Sequence, residues 1–269
     1  MAGRELTSIR SPRVKAARRL AKRAFRRRDR RFLAEGPQAV REALALPGRL
    51  VELFTTAEAE TRHADLVLAA EAAGVPVLRV SGEVMAELAQ TVTPQGLLAV
   101  CELVDVPLES VLDPAPRLVT VLAHVRDPGN AGTVLRTADA AGAESVIFTD
   151  ASVDPYNGKC VRASAGSLFH LPVVAGPRIG ALIPALRACG LTVLAADGGG
   201  DTTLDDAIDK GLLSRPTAWI FGNEAWGLPA EILEAADEVV GVPIYGRAES
   251  LNLGTAAAVC LYASARAQR

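Results

Sequence analysis

Three segments of the chain end an apolar run with groups that can meet a ligand. The first is HVRDPGNAGTVLRTADAAG, from His124 to Gly142. Asp127, Pro128, Gly129 and Asn130 make a turn that opens a helix. Free N–H groups at such a start, with the Asn130 amide, can grip a phosphate or a sugar hydroxyl. Arg136 follows nearly two turns later, able to border the same cleft without sharing Asn130's face. A plain helix cap and a surface arginine read the same way. In the second, WIFGNEAWGLP from Trp219, a strand runs into a loop bounded by Gly222 and Gly227 that holds Asn223 and one carboxylate, Glu224. A glycine there lets backbone approach a ligand closely, or it only makes a strand-end turn. The third is VPIYGRAESLNLGTAAA from Val242. Its strand ends at Ile244, and a small-residue helix begins near Ser250. Ser250 and Asn252 offer a hydroxyl and an amide at that helix start, or Ser250 is only its cap.

Other chemistries lack their residues. The chain has no GxxxxGK[ST] and no GxSxG, and the glycines at 198–200 do not open a helix with dinucleotide-binding spacing. Asp197, Asp201, Asp205, Asp206 and Asp209 lack calcium-loop spacing and read as a solvated helix start. Cys101, Cys160, Cys189 and Cys260 are scattered, as are His63, His124 and His170. No metal site and no disulfide framework is expected, and a reducing cytoplasm fits.

The elements that must position the three segments alternate. Residues 12–31 read as one basic amphipathic helix with Ser11 as its cap, and FLAEGPQAVREALAL as a helix after a turn. Strands and helices then alternate to residue 103, a small α/β domain over 32–103. Residues 104–116, with three prolines, read as a linker. From 117 to 269, apolar strands alternate with helices at 131–141, 158–165, 179–189, 229–236 and 252–266, which implies a buried parallel sheet.

Composition sets the outer bounds. With 269 residues, 49% apolar and 22% charged, the chain can bury a large core in one or two domains. No apolar run reaches about 18 residues and the basic start has no apolar stretch behind it, so neither a membrane span nor a secretion signal is expected. The net charge of −2 hides an asymmetry: residues 1–36 hold 13 Lys/Arg against 3 Asp/Glu. The arm 1–31 therefore suits a polyanion, through Arg18, Arg19, Lys22, Arg23, Arg26 and Arg27. A helix paired with acids on the protein's own surface, or one lying on a membrane, are the other readings.

Taken together and in order, the three segments resemble the motifs of the SpoU/TrmH family of ribose 2′-O-methyltransferases, in the SPOUT superfamily. The resemblance covers residues 117–269. Residues 1–103 are similar to the L30e-like substrate-binding domain that often precedes it, and segment 8–44 is similar to the start of rRNA-directed members. This implies an α/β fold with a C-terminal trefoil knot, which no periodicity would suggest. It implies S-adenosylmethionine as cofactor, held by Gly222, Asn223, Val242, Ile244 and Leu251. It implies a homodimer with the site at its interface, Arg136 as the catalytic arginine, and Asn130, Glu224, Ser250 and Asn252 around it. One departure bears on the last helix: Leu253, Gly254 and Thr255 stand where several members carry serine and valine.

A ribose 2′-OH is a poor nucleophile, and an arginine is a poor base because its pKa exceeds about 12. Arg136 is therefore expected to polarise the hydroxyl or hold the neighbouring phosphate. The 2′-OH also selects RNA over DNA. The resemblance implies rRNA, specifically 23S rRNA, as substrate. A tRNA ribose methyltransferase and a non-catalytic RNA-binding or ribosome-assembly protein are the alternatives, and the presence of all five site residues argues against the second.

Overall fold

The computed structural model describes residues 5–269. They form two units, one holding the described residues up to Val104 together with Tyr156–Phe169, the other Asp105–Pro155 and His170–Arg269. The described residues of the first unit carry 18 Lys/Arg against 12 Asp/Glu, the second unit 10 against 19.

Four strands form the sheet of the first unit, among the described residues: β1 (Arg31–Glu35), β2 (Leu50–Thr55), β3 (Val77–Arg79) and β4 (Leu97–Glu102), in the order β1-β4-β2-β3. β4 runs antiparallel to both neighbours, and β3 parallel to β2. The helices Pro12–Arg19 and Gly82–Leu88 bury Val14, Ala17, Leu20, Val84 and Leu88 on Leu33, Phe54, Leu98 and Val100. The start of the basic segment is thus part of this core and not a detached arm. Phe32 faces the other way, with its ring 4.8 Å from Tyr156 and 5.9 Å from Phe169. At the end of β1 the nearly buried Glu35 carboxylate accepts from Gln90 N at 3.2 Å, from Arg162 at 3.1 Å and from the Thr91 hydroxyl.

Two expectations fail here for physical reasons. The basic run is two helices, Pro12–Arg19 and Arg23–Asp29, with Lys22 extended between them. Buried Arg26 reaches back to donate to the carbonyls of Leu20 and Ala21, both at 2.8 Å, and so satisfies groups left open by the break. Residues 31–35 form a strand and only 37–45 the helix. Phe32, Leu33 and Ala34 are all buried, so the run shows no alternation to betray a strand.

Seven parallel strands build the second unit: β5 (Leu118–Leu122), β6 (Ser145–Phe148), β7 (Val173–Ala175), β8 (Thr192–Ala196), β9 (Thr202–Thr203), β10 (Thr217–Phe221) and β11 (Glu238–Gly241). Among the described residues their order is β7-β6-β5-β10-β8-β11-β9. On one face Val119, Val121, Val193, Ala195, Ala218 and Ile220 pack on Leu182, Ile183, Leu186 and Ile232 of the helices Ile179–Ala188 and Ala230–Ala235. On the other, Trp219 Nε1 donates to Ser264 Oγ at 2.8 Å in the last helix, Leu253–Ala267. That helix lies along Pro128–Ala141, and an added Cβ at Gly254 would stand 2.7 Å from Thr133 Cγ2. Glycine at 254 lets the two helices meet, whereas overpacking there costs about 1–3 kcal/mol.

The expected linker belongs to this unit: Val106 N donates to Val173 O at 2.9 Å, Glu109–Leu112 is a helical turn, and Val111 is buried in the core. Burial pushes the thiol pKa of Cys101 up, and that of Cys260 up to about 12, which leaves both protonated and unreactive. Among the described residues no helix is long and apolar enough to cross a membrane.

Candidate functional site

The sheet order decides where a ligand goes. From β5 the chain moves outward through β6 and β7, then crosses to β8; β10 later enters between β5 and β8, and β11 between β8 and β9. In such parallel sheets ligands bind beyond the carboxyl ends of the strands, where the order reverses. A cleft of about 550 Å³ opens there, walled by the ends of β8, β10 and β11 and the loops that follow them.

Gly222, Asn223, Val242, Ile244 and Leu251 all line it, with Glu224 and Ser250. The loop after β10 folds on itself: Asn223 N donates to Gly227 O at 3.0 Å, and Gly227 N returns a bond of 2.9 Å. Asn223 Oδ1 accepts from Ala225 N at 2.8 Å, and Asn223 Nδ2 donates to His124 O at 3.4 Å. Gly222 has a cause other than room for a ligand, because a Cβ there would lie 2.7 Å from Gly227 O and from Leu228 Cγ. The loop's own return forbids it.

Glu224 joins the three motifs. Its Oε1 accepts from Asn130 Nδ2, from Asn252 Nδ2 at 3.2 Å and from Leu253 N at 3.4 Å. Asn252 Nδ2 also lies 3.3 Å from Asn130 Oδ1. Asp127 caps the helix Pro128–Ala141 by accepting from Asn130 N at 2.9 Å, so that helix starts earlier than residue 131. The last helix is capped by Asn252, whose Oδ1 accepts from Gly254 N at 2.9 Å. Ser250 is therefore not its cap, and stands exposed on the cleft wall. Asn130, Asn252 and Arg136 all lie outside the cleft lining, and Arg136 is the outlier: it is exposed, and its side chain has no hydrogen bond or ion pair among the described residues.

Sequence reasoning missed Asp197. It directly follows β8 inside the cleft, where Oδ1 accepts from Gly199 N at 3.0 Å and Oδ2 from Leu228 N at 3.4 Å, tying two walls together. Gly227, at φ +67°, would put a Cβ 2.5 Å from Asp197 Oδ2. The legible signal was an aspartate directly after the apolar run LTVLAA. Among the described residues three carboxylates, Asp197, Glu224 and Glu249, line the cleft and no Lys, Arg or His does. Such a lining repels phosphate and suits a cation with an apolar body, such as a sulfonium nucleoside.

The six basic candidates all lie in the first unit. Arg18 is ion-paired with Glu87, and Arg19 lies 5.2 Å from the centre of the Phe25 ring. Lys22, Arg23 and Arg27 are exposed. Arg26 is buried, with a structural task.

The profile of the SpoU rRNA Methylase family matches residues 117–262, and that of the MRM3-like substrate binding domain residues 11–99. The chain is 35% identical to the 23S rRNA (guanosine(2553)-2′-O)-methyltransferase RlmP of Bacillus subtilis, over 96% of this chain and 98% of that one. It is 31% identical to the 23S rRNA (guanosine-2′-O-)-methyltransferase RlmB of Bordetella pertussis, over 82% and 90%. The AdoMet-bound rRNA methyltransferase of Sinorhizobium meliloti superposes with a TM-score of 0.81 at 32% identity, covering 98% of this chain and 97% of that one.

Proposed function

The chain belongs to the SpoU rRNA Methylase family, and from that premise we propose that it transfers the methyl group of S-adenosylmethionine to a ribose 2′-OH of 23S rRNA. The observation that carries the cofactor half is the acidic, cation-free cleft at the strand ends. It offers apolar walls in Val242, Ile244 and Leu251 for the nucleoside and carboxylates for the charge on sulfur. S-adenosylmethionine, when bound, supplies an already activated methyl group, so the chain's own task is alignment. Asn130 and Asn252, fixed on Glu224, present amides beside the cleft, and Ser250 presents a hydroxyl. Arg136 polarises the 2′-OH or holds its neighbouring phosphate, as a guanidinium that keeps its proton.

The solitary position of Arg136 supports a homodimer in which one chain completes the other's site. The half-exposed Val259 and Tyr262 on the last helix give a second copy something to cover. Insertion of β10 and β11 between earlier strands, before the last helix returns to Pro128–Ala141, supports the trefoil knot. An rRNA substrate implies work in the cytoplasm.

The test is labelled methyl transfer to purified 23S rRNA and to tRNA, followed by mapping of ribose methylation. The names of RlmP and RlmB make a guanosine the first nucleotide to look for. Methylation of tRNA alone would redirect the proposal, and cofactor binding without methylation of any RNA would favour an assembly protein.

The exposed cations of the first unit are the proposed phosphate partners. Reversing Arg19, Lys22, Arg23 and Arg27 to Glu should weaken RNA binding. It should also flatten the slope of log affinity against log salt by about 0.7–0.9 for each phosphate no longer neutralised. Cofactor affinity should be unchanged. Arg26→Ala should act differently, lowering the melting temperature, because it strips the carbonyls of Leu20 and Ala21 of their donor.

A further inference from the structure

Residues 242–251 form one wall of the cleft, yet no backbone–backbone hydrogen bond holds them among the described residues. The segment is rooted at both ends. Before it, Val240 and Gly241 of β11 pair with Thr202 and Thr203 of β9. After it, Asn252 is fixed by Glu224 and caps the last helix. Between these roots it makes one hydrogen bond among the described residues: the Tyr245 hydroxyl donates to Asp205 Oδ2 at 2.7 Å.

Asp205 is a firm anchor. It sits in the first turn of the helix Leu204–Asp209, directly after β9, and that turn is locked by a reciprocal pair between Thr203 and Asp206. Tyr245 is itself 87% exposed, so its ring adds little packing and its hydroxyl is the working part. Beyond it, residues 246–250 are all exposed. A segment with solvated backbone and few internal bonds opens at low free-energy cost.

We infer that 242–251 is a strap over the cofactor cleft and that Tyr245 and Asp205 are its latch, positioning residues that set how fast the cofactor exchanges. The inference rests on the proposed reading of this cleft as the S-adenosylmethionine site. Val242, Ile244 and Leu251 reach the cleft from the strap, so releasing the latch loosens that wall without touching Arg136 or Glu224. The bond gives Tyr245 a raised pKa, as donation to a carboxylate requires.

The test is stopped-flow displacement of S-adenosylmethionine from the full-length protein carrying Tyr245→Phe, Asp205→Asn, or both. Tyr245→Phe should speed cofactor release about two- to fivefold, the range that a solvent-exposed bond to a carboxylate confers. Asp205→Asn should do the same to a smaller extent, and the double variant should match Tyr245→Phe alone, since the two residues share one bond. KM for the cofactor should rise while KM for RNA and the melting temperature stay put. Release at the wild-type rate in both single variants, or additive effects in the double, would overturn the latch. Failure of the wild-type protein to bind S-adenosylmethionine would instead overturn the reading of the cleft.

Discussion

Arg136→Ala should lose about 10²–10³-fold in single-turnover methyl transfer, the scale of removing one preorganised polar contact to the reacting oxygen. Cofactor affinity measured by calorimetry should stay within about twofold, because Arg136 does not line the cleft. Arg136→Lys should fail nearly as badly, since a point charge does not reproduce the planar guanidinium fork. A sharper experiment asks whose cleft it serves. Gly222→Val should destroy one chain's cleft, because its Cβ meets Gly227 O. Each variant alone should then be inactive. If Arg136 acts across a dimer, coexpressing the two variants should recover up to about a quarter of wild-type activity, from mixed dimers with one intact site. No recovery, with mixed dimers shown to form, would assign Arg136 to its own chain. Full activity in Arg136→Ala would remove it from the mechanism.

How much of this was visible beforehand depends on whether a residue's role is local. Gly222, Val242, Ile244 and Leu251 came with the family resemblance; the residues alone show only that apolar runs stop near Gly222 and Gly241, at strand ends where ligands collect. Asn130 and Asn252 sit at helix starts that their own neighbours specify. Asp197 was hidden by its company. Four more aspartates follow within twelve residues, and only the pairing of β8 and β9 with β11 separates the one in the cleft from those on the helix beyond. The reason for Gly222 was misread because the obstacle is its own loop five residues on. Residues 156–169 joined the first unit through Phe32, by stacking of aromatic rings more than a hundred residues apart in sequence. Nothing in the segment's own pattern says which core it enters. A strand with one wet face announces itself by alternation; a buried run such as RFLAE does not.

Glu224→Ala is the second change expected to have a large effect, and it separates architecture from stability. Glu224 is exposed, so water replaces its bonds and the loss of folding free energy should stay below about 1 kcal/mol. Its Oε1, however, is where donors from distant segments meet: Asn130, Asn252 and the N–H of Leu253. Without it the two amides lose their common acceptor, and displacement of a reacting group by about 1 Å can cost about 10²-fold. Turnover should therefore fall by about that factor while the melting temperature barely moves. Glu224→Gln keeps one acceptor oxygen and a matching shape but gives up the charge. Charged hydrogen bonds are about twice as strong as neutral ones, so its loss should be nearer tenfold. The ordering Ala below Gln below Glu, at constant melting temperature, is the signature of a carboxylate that aligns. If Gln were as inactive as Ala, the negative charge itself would be the requirement, and Glu224 would act on the cofactor's positive sulfur or on a proton rather than through Asn130 and Asn252.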